Sequence, residues 1–145
     1  MGRDNINGVI IMRYYISAAR SNHGRAKALS EELNLLGHVC AHNWLIEDDA
    51  MQKSKDNITE SAFNLVQSIR DTELFLLITP FVRSTYTELG LALSSRYGKR
   101  IVVWSETGRE FEPGPDACMF FFHPSVIQLK GSFQDLIEYI KTISM

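Results

Sequence analysis

Long hydrophobic runs are missing from this 145-residue chain. The longest, Leu74 to Val82, is interrupted by Thr79 and Pro80 and falls well short of the roughly 20 residues needed to span a bilayer. The opening "MGRDNING" offers no apolar stretch of the kind a secretory signal requires. Cysteine is scarce too. Cys40 and Cys118 are the only two, neither sits in CxxC spacing, and no His/Cys cluster has the spacing of a zinc site. No metal and no membrane are therefore expected. Both thiols read as buried and free, in a reducing compartment, which makes the expected localisation cytoplasmic. A basic excess is also lacking: 15 Lys and Arg stand against 17 Asp and Glu, a net charge of −2. That argues against a nucleic-acid polymer as partner. It leaves small anionic ligands open, because a local group of arginines binds phosphate whatever the global charge. Internal repeats and low-complexity segments are absent.

What is present is an ordinary globular composition, 45% hydrophobic and 22% charged, at a length suited to one domain over residues 1–145. "GVIIMRYYIS" is rich in β-branched and aromatic residues and predicts a first strand near 9–17. Ala26, Leu29, Leu33 and Leu36 recur at helical steps until Gly37 stops them. A short strand is expected at 38–41, then a polar connection from Asn43 to Asp56 with room for a helical turn. The second helix is expected from Ile58 to Arg70, with Ala62, Leu65, Val66 and Ile69 on one face. "ELFLLIT" (73–79) and "KRIVVW" (strand at 100–104) are apolar on both faces, the mark of strands covered on both sides. Between them "TYTELGLALSSRYG" reads as a helix closed by Gly98. "MFFF" predicts a short helical or extended piece and 126–129 a last strand. Ser132 with Asp135 opens a final helix that buries Phe133, Leu136, Ile137 and Ile140.

Strands alternating with helices imply βαβ units. The expected architecture is a flavodoxin-like, Rossmann-like three-layer α/β/α sandwich with a five-stranded parallel sheet. Ligands of such sheets bind beyond the carboxyl ends of the strands, which selects the loops "SAARSNHG", "TPFVRST" and "SETGREF".

Glu88 lies just past the second loop in a run otherwise apolar or small. Two readings compete. Thr85-x-x-Glu88 has the spacing of a capping box, in which both side chains satisfy helix N-terminal amides, and a first-turn carboxylate suits the helix dipole. From spacing alone this reading ranks first, and it specifies no chemistry. Alternatively, an ionised carboxylate at the rim of a ligand cleft can attack an electrophilic carbon or stabilise an oxocarbenium ion.

The stretch "IRDTELFLLITPFVRSTYTELGLALSSRYGKRIVVW" resembles the nucleoside 2-deoxyribosyltransferase family and its nucleotide N-glycosidase relatives. The likeness extends to "YYISAARSNHGRA" and "MFFFHPSVIQLKGSFQDLIEYI", so it covers nearly the whole chain. It implies cleavage or transfer at the N-glycosidic bond of a nucleoside or nucleoside 5′-monophosphate, with Glu88 attacking C1′ and Tyr15 beside it. It implies no cofactor, and a homodimer or larger assembly for which "MFFF" offers an apolar surface. Tyr15 has a plainer alternative: Tyr14 and Tyr15 straddle a strand, one buried and one exposed. Ser17 is placed to bond ribose or phosphate. Arg20 and Arg25 bracket "SNHG", and with Arg83 and Ser84 they form the expected phosphate site; as plain surface arginines they would mean nothing. His23 reads as surface. An aspartate usual to the family in the second helix is replaced here by Leu65, with Asn64 beside it able to supply a hydrogen bond but no charge. The loop before Glu88 also lacks an aspartate. A second class shares the layout: Toll/interleukin-1-receptor domains that cleave NAD with a glutamate on the helix after a strand. A third is a non-catalytic nucleotide-binding module.

Overall fold

The computed structural model describes residues 4–6, 9–44, 54–95 and 98–145. Its elements are β1 (Asp4–Ile6), β2 (Val9–Ile11), β3 (Arg13–Ser17), α1 (His23–Leu35), β4 (Val39–Cys40), α2 (Lys55–Asp71), β5 (Leu74–Ile78), α3 (Arg83–Leu93), β6 (Arg100–Ser105), β7 (Val126–Lys130) and α4 (Phe133–Ile143). The five-stranded sheet has the order β4-β3-β5-β6-β7, with every pairing parallel. Counting only its own strands along the chain, this is 2-1-3-4-5, the flavodoxin order. The first expected strand is in fact two. Val9–Ile11 turns away to pair antiparallel with Asp4–Ile6, and the chain joins the main sheet only from Arg13.

Alternation on β3 and β5 divides the core. Tyr14, Ile16, Leu74, Leu76 and Ile78 face one side, where α1 (Ala26, Leu29, Leu33) and α4 (Leu136, Ile137, Ile140) cover them. Tyr15, Phe75 and Leu77 face the other, against Ile69 of α2 and Leu89 and Ala92 of α3. Both tyrosines are thus buried, and the picture of one in and one out gives way because helices cover both faces. The α4 capping box forms as expected: Asp135 N donates to Ser132 Oγ at 3.1 Å, and Ser132 N donates to Asp135 Oδ2 at 2.8 Å.

Other expectations shift. Helix α2 begins at Lys55, capped by the Ser54 side chain, and Ala62 is exposed rather than on the covered face. Both cysteines are free but only half-buried. "MFFF" is a 3₁₀ turn, Met119–Phe122, with Phe121 buried and Met119, Phe120 and Phe122 exposed. The expected turn within 43–56 falls mostly outside the described residues. Among the described residues no helix is long and apolar enough to cross a membrane.

Candidate active site

The strand order reverses between β3 and β5, and a crevice opens there at the carboxyl edge. A cavity of about 470 Å³ occupies it. Tyr15 of β3 lines it, with Ala18, Ala19, Arg20 and Ser21 of the first loop, Val82, Ser84 and Glu88 around the start of α3, Leu65 of α2, and Trp44. The first two loops are tied together: Asn22, buried in the first, donates its amide to the Thr79 carbonyl at the start of the second.

Glu88 is no cap. Helix α3 starts three residues earlier than the Thr85 box requires, with Val82 as N-cap. Thr85 therefore sits at N3, where its hydroxyl accepts from Val82 N at 2.8 Å and donates to Val82 O at 2.7 Å. Glu88 falls in the second turn, on a buried stripe of Thr85, Glu88, Leu89 and Ala92. Their spacing is that of a core-facing helix, and it carries a carboxylate inward. Glu88 is 8% exposed. Burial raises its pKa to about 7, with the Tyr15 and Ser17 hydroxyls pulling the other way. The dipole argument for a low pKa loses to desolvation once the group is off the first turn.

Ser17 follows Tyr15 by two along β3, so both project to the α3 side. Its hydroxyl favours the ionised carboxylate yet is not in hydrogen-bond geometry with it. Ser17 Oγ and Glu88 Oε2 are both buried without a partner. The Tyr15 ring lies on Phe75, centroids 6.0 Å apart.

Of the residues singled out in the sequence, Tyr15, Arg20, Ser84 and Glu88 line the cavity, and Ser17 lies beside Glu88. Three do not join them. Arg25 pairs with Glu106 at 3.3 Å and lies 5.4 Å from the Trp104 ring centroid, engaged with the third loop. Arg83, the first residue of α3, is exposed and outside the lining, because the buried stripe of its helix runs on another face. Asn64 is exposed as well; the next residue, Leu65, turns to the cavity instead. The third loop, "SETGREF", folds on itself: Ser105 Oγ bonds the Glu110 carboxylate and accepts from Gly108 N at 2.9 Å. His23 is exposed, its ring edge-on to Trp44.

Trp44 was not singled out in the sequence. Its Nε1 donates to Ile16 O at 2.8 Å, which fixes the ring at the cavity wall. A tryptophan in a polar stretch shortly after a short strand is the signal that could have found it. Among the described residues no group of His, Cys, Asp and Glu could hold a metal ion.

The fold and crevice define a class, the three-layer α/β/α proteins with flavodoxin strand order and a cavity at the switch point. No protein-family model and no curated protein matches the chain. Among solved structures it is similar to a CMP N-glycosidase of Clostridium botulinum, BcmB, with a TM-score of 0.58 and 15% identity, over 89% of this chain and 99% of that one. At that identity the likeness speaks for a shared fold.

Proposed function

We propose that the protein cleaves the N-glycosidic bond of a nucleoside 5′-monophosphate, with Glu88 as nucleophile. The observation that carries this reading is the Glu88 carboxylate buried against a cavity with Oε2 unpartnered. A buried carboxylate whose hydrogen bonding is left incomplete is costly to the fold, and reactive groups are where such cost is found. The sequence resemblance and the N-glycosidase of like fold support the same bond type.

In the first step an ionised Glu88 oxygen bonds to C1′. The C1′–N bond breaks, its electron pair leaves with the base, and the base takes up a proton. Water then attacks C1′ of the glycosyl-enzyme, loses its proton, and releases the sugar phosphate with the carboxylate restored. A second base in place of water makes the outcome a transfer. Tyr15 hydrogen-bonds the carboxylate, favours its charge and holds its orientation. With a pKa of about 7 in the empty site, about half of the molecules hold the ionised form at neutral pH.

Arg20, Ser21 and Ser84 gather at the cavity beside the amino-terminal turn of α3. A guanidinium, two hydroxyls and helix amides suit a monophosphate. Binding that remote group helps place C1′ against Glu88.

The test is a panel of nucleosides, nucleoside 5′-monophosphates and NAD incubated with the protein and resolved by chromatography. Free base from a monophosphate, faster than from its nucleoside, is the expected result. Nicotinamide released from NAD alone would place the protein with the Toll/interleukin-1-receptor chemistry instead. No base from any of them would leave a non-catalytic binding module.

A further inference from the structure

Resting on the N-glycosidase reading, two orphaned oxygens, Oε2 of the cavity-lining Glu88 and Oγ of Ser17 beside it, also name the sugar. Ser17 is 0% exposed and Glu88 8%, and Ser17 Oγ and Glu88 Oε2 have no hydrogen-bond partner. Buried polar atoms in proteins are nearly always paired, as Tyr14, Asn22 and His38 are here.

The two orphans are chemically complementary. An ionised carboxylate only accepts hydrogen bonds, while a serine hydroxyl both donates and accepts. Ser17 is near enough to influence the Glu88 carboxylate, so one small group can reach both. That group must accept from Ser17 and donate to Glu88. A hydroxyl does this and a methylene cannot. In a nucleotide with C1′ at Glu88, the hydroxyl one carbon away is the one on C2′.

We propose that Ser17 and Glu88 together read the 2′-hydroxyl, so that the site takes ribonucleotides in preference to 2′-deoxyribonucleotides. O2′ accepts from Ser17 Oγ and donates to Glu88 Oε2, which leaves Oε1 for C1′. In glycoside cleavage, hydrogen bonds to the hydroxyl beside the reacting carbon strengthen as charge develops. A site whose buried polar groups are completed by a substrate hydroxyl also rejects the analogue that lacks it, because those groups stay unpaired. The donated bond favours the ionised carboxylate as well. The acid limb of kcat, which reports the complex, therefore lies at lower pH than that of kcat/KM, which reports the free enzyme.

The experiment compares kcat/KM for the matched pairs CMP and dCMP, UMP and dUMP, AMP and dAMP, GMP and dGMP. For the base that is turned over, the ribo form is expected to lead by at least about tenfold. In Ser17→Ala, confirmed folded by its melting transition, that ratio falls about tenfold. Calorimetry runs beside it with ribose 5-phosphate and 2-deoxyribose 5-phosphate. The ribose compound is expected to bind more tightly to the native protein, and the gap to close in Ser17→Ala. Equal rates or a deoxy preference in the native protein, or a ratio that Ser17→Ala leaves untouched, overturns the proposal while the N-glycosidase reading stands. If none of the eight nucleotides releases base, that reading fails, and the calorimetry decides this one. Tighter ribose 5-phosphate binding lost in Ser17→Ala upholds it; equal binding, or none, overturns it.

Discussion

Tyr14 and Tyr15 are neighbours on one strand, yet they look into opposite chemical worlds. On the Tyr14 side the phenol is engaged with Ser30 Oγ at 2.7 Å and donates to Asn34 Oδ1 at 2.8 Å; burial pushes its pKa up to about 12. On the same side His38 Nδ1 accepts from Met12 N at 3.0 Å, and its Nε2 meets Ser144 Oγ at 2.7 Å. Since Nδ1 accepts, Nε2 carries the proton, and Ser144 passes its own on to Ile140 O at 2.7 Å. Every polar group in that relay is used. On the Tyr15 side Ser17 and Glu88 are as deeply buried but each keeps an oxygen unsatisfied. Paired polar groups under α1 and α4 hold the fold; the unpaired ones under α3 are what the proposed function puts to use.

Removing the charge from the open side gives the largest stability effect. Glu88 has its folded pKa raised from 4.5 to about 7. Its contribution to stability is therefore fully present below pH 4.5 and is lost as pH rises through about 7. Glu88→Gln carries no such loss. Its stability relative to the native protein should grow by roughly 3 kcal/mol between pH 4.5 and 8, the pKa shift expressed as energy. Denaturant titrations across that range measure it; a flat difference would mean that burial does not tax this carboxylate.

The paired side should answer pH in the opposite sense. Burial lowers the His38 pKa, so its contribution is present above the unfolded value of 6.5 and fades as pH falls below it. His38→Ala leaves Met12 N–H buried without a partner and should cost about 2 kcal/mol at pH 8, read by the same titrations, with base release retained. Arg20→Ala returns to the cavity: it should raise KM for the monophosphate about tenfold, the scale of one charge-assisted bond, and that for the nucleoside much less. Tyr14→Phe should cost only about 1 kcal/mol without altering the pH profile of base release. Smallest of all, Arg25→Ala breaks a half-exposed pair with Glu106. It should cost well under about 1 kcal/mol and leave the monophosphate KM alone, which would separate Arg25 from Arg20.

The sheet was legible in the sequence because two-sided strands are apolar along their centres, as in Leu74–Ile78 and in the Ile101 to Trp104 stretch of Arg100–Ser105. The carboxyl-edge rule then selected three loops, of which the first two line the crevice and the third does not. What escaped was phase. The helix α3 start moved by three residues when Val82 took the cap, and that turned Glu88 from a surface cap into a buried acid. Periodicity held the cue, since Thr85, Glu88, Leu89 and Ala92 form one stripe, but the local Thr-x-x-Glu pattern drowned it. The arginines failed for a different reason. Loop membership does not fix where a long side chain goes, and Arg25 found Glu106 and Trp104 on the far side of its own helix start. Asn64 missed by one position, about 100° around a helix.

The most direct measurement is the rate of base release by the native protein and by Glu88→Gln, on whichever nucleotide the panel identifies, at pH 7.5 with a cooperative melting transition of the variant verified. The expected result is at least about a hundredfold loss in the variant. A variant that releases base as fast as the native protein would contradict the account and leave Glu88 a buried acid without a chemical role.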